Sequence, residues 1–106
     1  MIIERWIAGV LVGELHWDER PGAIIEVHLD VMDGYRRQGI GRSMMQEIEV
    51  MARREKIKSL TTFTAGDNLL AQKFFQAMGF VAVMAWGLYG HGRDGCFMWK
   101  TIGAPE

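Results

Sequence analysis

Cysteine, net charge and long apolar runs are all scarce in this chain. The single cysteine, Cys96, cannot close an internal disulfide, so nothing covalent staples the fold and a reducing compartment suits it. Twelve basic against thirteen acidic residues leave a net charge of -1, which supplies no global field toward nucleic acid or an anionic membrane. No apolar stretch approaches the ~20 residues that span a bilayer, and no signal peptide opens the chain. The expected location is therefore the cytoplasm, with neither nucleic acid nor membrane as partner. Repeats, low-complexity segments and linkers are also missing, so residues 1–106 read as one domain. Its 49% hydrophobic content suits a packed core.

What is present alternates regularly. Ile2 to Ile7 and Val10 to Trp17 read as strands joined at Ala8-Gly9, and Ala23 to Val31 reads as a third after a turn at Asp18 to Gly22. In this third strand Ile25, Val27, Leu29 and Val31 alternate with Glu26, His28 and Asp30, the pattern of a sheet well covered on one face only. From Ile40 the period becomes helical through Met44, Ile48 and Met51, ending in the basic run Arg53, Arg54, Lys56 and Lys58, which reads as a solvated helix end. Lys58 to Thr64 is a strand, Asp67 or Asn68 caps a second helix, and Gly79 ends it. Val81 to Trp86 and Cys96 to Ile102 are closing strands around a Gly-rich loop. The methionines read as core filling, and Cys96 as a packed strand residue.

The most informative segment is Arg36-Arg37-Gln38-Gly39-Ile40-Gly41-Arg42, at a strand-to-helix turn. Glycines there let backbone amides converge on one point, the helix start favours an anion, and flanking arginines add charge-assisted contacts. A dinucleotide fingerprint would need a third glycine where Met44 stands, and no Gly-Lys-Ser/Thr end makes a nucleotide P-loop.

The turn resembles the R/Q-x-x-G-x-G/A signature of the GNAT superfamily of acyl-CoA-dependent N-acetyltransferases, with Arg36 in first position. Downstream, Asn68 to Phe80 resembles the same family's N-x-x-A-x-x-hydrophobic-aromatic-x-x-x-G-F segment, in the right order and spacing. The resemblance covers Gly9 to about Ile102. It implies an α/β class with a mixed, α+β type of sheet: an N-terminal antiparallel meander, then strand-helix-strand-helix-strand-strand. Both crossovers being right-handed, the helices should lie mainly on one face. Family members commonly begin with a further strand and two helices that wall the acceptor site, whereas this sequence opens inside a strand. A sheet face bearing Trp6, Val10 and Val12 beside Glu14, His16, Glu26 and His28 would then lack a helix, and a homodimer is expected to cover it.

The resemblance also implies a chemistry: acetyl transfer from acetyl-CoA, the co-substrate, to a primary amine of a small molecule or protein, through a tetrahedral intermediate and without a metal. Arg36, Arg37, Gln38, Gly39, Ile40, Gly41 and Arg42 would hold the CoA pyrophosphate, the backbones of Leu29 and Val31 the pantetheine arm, and Asn68 and Phe75 would also adjoin the cofactor. The N–H of Leu29 would stabilise the oxyanion. Glu26 or His28, on the polar face of the strand, can serve as base. Tyr89, His91 and Arg93 occupy the loop where the family often contacts the acceptor, although loop polarity alone accounts for them equally. One departure stands out: Phe75 replaces the frequent tyrosine that protonates the leaving thiolate, a role left to Tyr89 as the substitute. That departure keeps a second reading open, a non-catalytic CoA-binding structural or regulatory module.

Overall fold

The computed structural model describes residues 1–85 and 94–102. Strands β1 (Ile2–Ile7), β2 (Val10–Arg20) and β3 (Ile24–Val31) form the antiparallel meander. Helix α1 (Ile40–Arg54) leads to β4 (Ser59–Ala65), and α2 (Leu69–Ala77) leads to β5 (Val81–Ala85) and β6 (Gly95–Thr101). One sheet takes the order β1-β2-β3-β4-β6-β5, parallel only between β3 and β4. The class and element order are those implied by the resemblance.

One boundary needs correction. Asp18, Glu19 and Arg20, assigned from sequence to a turn, extend β2 and pair with Glu26, Ile25 and Ile24. The reversal shrinks to Pro21-Gly22-Ala23, with positive φ at Gly22 (89°) and Ala23 (60°), so the hairpin reaches farther than turn-forming residue types suggested.

Both helices pack on one face. Leu15, Ile25, Val27, Leu60 and Met98 from the strands share a core with Met44, Met45, Ile48 and Ala52 of α1 and with Phe75, Met78 and Phe80 at and beyond the end of α2. Lys100 of β6 ties the layers together. Its Nζ lies 2.6 Å from Glu49 Oε1 on α1 and donates to the Met78 carbonyl at the end of α2 at 2.8 Å.

The opposite face has no helix among the described residues. It divides chemically: β2 and β3 present Glu14, His16, Asp18, Glu26, His28 and Asp30, whereas β4, β6 and β5 present Phe63, Phe97, Trp99, Val81 and Val83. Phe97 meets Phe63 at 4.9 Å and stacks on Trp99 at 5.6 Å, while Val81 and Val83 stay about half exposed. Trp6 and Val10 are exposed as expected, but Val12 is buried, so the apolar part of this face lies mainly on the far strands rather than at the N-terminus.

Candidate cofactor and catalytic site

The parallel ladder between β3 and β4 is short. It runs through Ile24↔Ser59, Ile25↔Leu60 and Glu26↔Thr61 and stops, although β3 continues to Val31 and β4 to Ala65. Past Glu26 the two strands part, opening a cleft within the sheet.

Which backbone groups face that cleft follows from strand alternation. Met32 N–H donates to Val12 O toward β2, and the Met1–Trp17 pair shows that odd-numbered residues of β2 turn toward β1, leaving its even ones to β3. In the unbroken β2–β3 register, even residues of β3 therefore bond to β2, and Val27, Leu29 and Val31 turn their amides and carbonyls toward β4. Beyond the ladder these form an open edge, the arrangement that recruits an extended amide-bearing chain.

The open edge leads to the start of α1. Gly39 is its N-cap at φ 79° with no side-chain cap, and the first turn holds no acidic residue. Ser43 N–H makes the bond to Gly39 O, so the amides of Ile40, Gly41 and Arg42 precede the helical ladder and point outward at the positive end of the dipole. Gly39 is there for conformation, since nothing lies within 4 Å of a Cβ built on it. Gly41 is there for closeness: its Cβ would come within 3.2 Å of the Phe74 ring and 3.3 Å of Leu29 Cδ2.

Most of the sequence-assigned cofactor residues converge here, with different duties. Arg36, itself exposed, folds back on the turn, its Nε donating to Val31 O at 3.2 Å and its Nη1 lying 3.0 Å from Asp33. Gln38 donates to Gly34 O at 3.4 Å, bracing the turn, while Arg37 and Arg42 are exposed to approach by an anion. Asn68 caps α2, its side chain accepting from Ala71 N–H at 3.2 Å. Phe75 is a core ring, 5% exposed and edge-on to Phe74 and Phe80. The ring that meets Leu29 and Gly41 is its neighbour Phe74, which sequence reading passed over although it fills the hydrophobic position of the Asn68 segment.

On the helix-free face, Glu26 is the last β3 residue of the parallel ladder and His28 is the next residue on that face, beside the cleft. Arg20 Nη2 donates to Glu26 Oε2 at 2.7 Å, and His28 Nε2 stands 3.5 Å from the same oxygen. The Arg20 hydrogen bond holds the Glu26 carboxyl below its ordinary range; partial burial opposes this, and the charges of Arg20 and His28 add to it. Arg20 in turn is raised, chiefly by the bond to Glu26. His16 faces His28 across the β2–β3 ladder and lies 3.2 Å from Glu14. Tyr89, His91 and Arg93 lie outside the described residues. A cavity of about 300 Å³ at the end of β4 is lined by Gly66, Asp67, Met84 and Asp94.

Residues 3–80 match the family model described as the acetyltransferase (GNAT) family. The chain belongs to the GNAT acetyltransferase family. Solved GNAT-like structures superpose on it closely. A ribosomal-protein-alanine N-acetyltransferase from Brucella melitensis is 23% identical with a TM-score of 0.81, the match covering 94% of this chain and 67% of that one. A putative streptothricin acetyltransferase from Bacillus anthracis, in complex with acetyl coenzyme A, is 16% identical with a TM-score of 0.88, covering 96% and 62%. A putative acetyltransferase from Salmonella typhimurium, with its cofactor acetyl-CoA, is 17% identical with a TM-score of 0.82, covering 99% and 68%. At these identities the likeness is one of fold, and this GNAT chain spans about two thirds of the length of the structures it matches. No curated protein matches it by sequence. Among the described residues no helix is long and apolar enough to cross a membrane, and no group of His, Cys, Asp or Glu is arranged to hold a metal.

Proposed function

We propose that residues 1–106 form one acetyltransferase domain that moves an acetyl group from acetyl-CoA to a primary amine, of a small molecule or a protein, in the cytoplasm. The observation that carries this reading is the open backbone edge at Leu29 and Val31 running to the uncapped start of α1 at Gly39. The edge suits the two amides of a pantetheine arm, and the helix start suits a pyrophosphate, so one continuous track fits both halves of the co-substrate. Arg37 and Arg42 supply the exposed charge, and Arg36 and Gln38 keep the turn in shape.

Chemistry then needs little else. The neutral amine attacks the thioester carbonyl, the Leu29 N–H donates to the oxyanion, and the C–S bond breaks as the carbonyl re-forms. The nitrogen proton passes to the Glu26–His28 pair, and the thiolate takes a proton from Tyr89 or from solvent, because Phe75 has none to give. Tyr89, His91 and Arg93 border the acceptor. Pairing of two copies through the helix-free face completes the proposal, since Phe63, Phe97, Trp99, Val81 and Val83 form an uncharged surface able to meet its own copy.

Calorimetry with acetyl-CoA, followed by thiol release with a panel of amines and lysine peptides, tests the reading. Binding with turnover is expected. Binding without thiol release from any acceptor would favour the CoA-binding module, the reading to which Phe75 points.

A further inference from the structure

Glu26 and His28 both stand beside the cleft, yet their surroundings suit them to different tasks. Glu26 is half-buried, shares one oxygen between Arg20 and His28, and is held ionised by the short bond from Arg20. A carboxylate so held is a poor proton acceptor. It is a good fixed anion, and its nearest neighbour on the cleft side is an imidazole.

We propose that His28 is the base that accepts the amine proton and that Arg20 and Glu26 are positioning residues that set its ring and tautomer. The proposal rests on the acetyl-transfer reading and assigns the proton within it. The ionised Glu26 oxygen favours the proton on Nε2 of His28, the nitrogen 3.5 Å away, and this leaves Nδ1 with its lone pair free to accept. As the C–N bond forms, the nitrogen proton moves to Nδ1; the imidazolium so produced is stabilised by Glu26 and later returns its proton to solvent.

The hairpin explains why this set exists. Because β2 continues through Asp18, Glu19 and Arg20, Arg20 pairs with Ile24 and its guanidinium reaches two residues along the same face to Glu26. Had β2 ended at Trp17, Arg20 would sit in a loop. The neighbouring His16 has its own carboxylate, Glu14, and lies one strand farther from the cleft. The charged groups facing His28 are His16, Glu14 and Asp18 from β2 and Glu26 and Asp30 from its own strand; β4 contributes Thr61 and Phe63 there.

The test combines imidazole NMR with kinetics on the full chain. In wild type, nitrogen-15 shifts should report the Nε2–H tautomer for neutral His28, and Glu26→Gln or Arg20→Met should move it toward a mixture, with Arg20→Lys retaining much of the wild-type signature. His28→Ala should lower kcat by about a hundredfold at unchanged KM for acetyl-CoA and recover on addition of free imidazole. Arg20→Met should lower kcat by roughly tenfold and His16→Ala should leave it unaltered. A Nδ1–H tautomer in wild type, or a full loss of turnover in Glu26→Gln with none in His28→Ala, would overturn the assignment. If no acceptor yields thiol in wild type, the transfer reading fails with it, while the tautomer measurement still decides whether Arg20 and Glu26 set the ring.

Discussion

Arg36 donates its Nε–H to the backbone carbonyl of Val31 across 3.2 Å. The residue first in the glycine turn thus reaches back to the last residue of the open edge, and Asp33 holds its other end at 3.0 Å. One guanidinium fixes the angle between the two halves of the proposed acetyl-CoA track. Arg36→Ala should therefore weaken acetyl-CoA binding more than Arg42→Ala, by about tenfold against a few-fold, because Arg36 alone of the two also bonds the Val31 carbonyl. Calorimetry on both variants checks this, and equal losses would mean that the Arg36–Val31 bond does not shape the track.

Gly39 and Gly41 should fail for different reasons. A glutamate at 39 has room but must hold φ near 79°, at a cost of about 1–2 kcal/mol, and it sets a negative charge before the helix start. A glutamate at 41 also meets Phe74 and Leu29. Both variants should lose acetyl-CoA binding, but only Gly41→Ala, among the alanine variants, should disturb the packing of Phe74, visible in aromatic side-chain NMR. Equal affinity in folded Gly39→Glu would displace the pyrophosphate from this turn.

Stability should depend on Glu26 at acid pH. Its folded pKa lies below the unfolded value, so its contribution is present above the unfolded pKa and disappears as pH falls through the folded one. Urea midpoints of wild type should drop in that window more steeply than those of Glu26→Gln. Parallel curves would show that the Arg20 bond carries no stability.

Lys100 is the joint between the helices. Removing it leaves Glu49, 8% exposed at the side chain, with Arg53 at 3.9 Å as its one cation among the described residues. Lys100→Ala should cost about 3 kcal/mol in chemical denaturation, and the Glu49→Gln/Lys100→Met pair should cost less, since no buried charge remains.

The helix-free face predicts association. Light scattering at micromolar concentration should give about twice the 12.0 kDa chain mass, and Val83→Lys with Phe97→Glu should reduce it to one. A wild-type monomer would mean that this face meets something other than its own copy.

Local patterning made most of the fold legible in the sequence. The Ile25-Val27-Leu29-Val31 alternation and the Gly39-Ile40-Gly41 turn each specify their geometry through neighbours a few residues away. What escaped depends on long-range contact. Asp18 to Arg20 carry turn-like chemistry, yet pairing with Ile24 to Glu26 draws them into β2. Phe74 and Phe75 are adjacent aromatics on a helix, and only packing beside Gly41 tells which ring lies at the start of α1. The Arg20–Glu26 bond likewise needs the hairpin register before it can be seen.

The sheet order has a consequence for biosynthesis. β6, later in the chain than β5, lies between it and β4. Until Gly95–Thr101 emerge from the ribosome, β4 has only its three-residue pairing with β3 to hold it and β5 has no neighbour in the sheet. The meander and α1 can assemble early, but the cleft wall made by β4 sets only once β6 has joined the sheet. Phe63, Val81 and Val83 remain open to wrong partners for that interval, which makes the speed of the closing step a determinant of how much chain survives to fold.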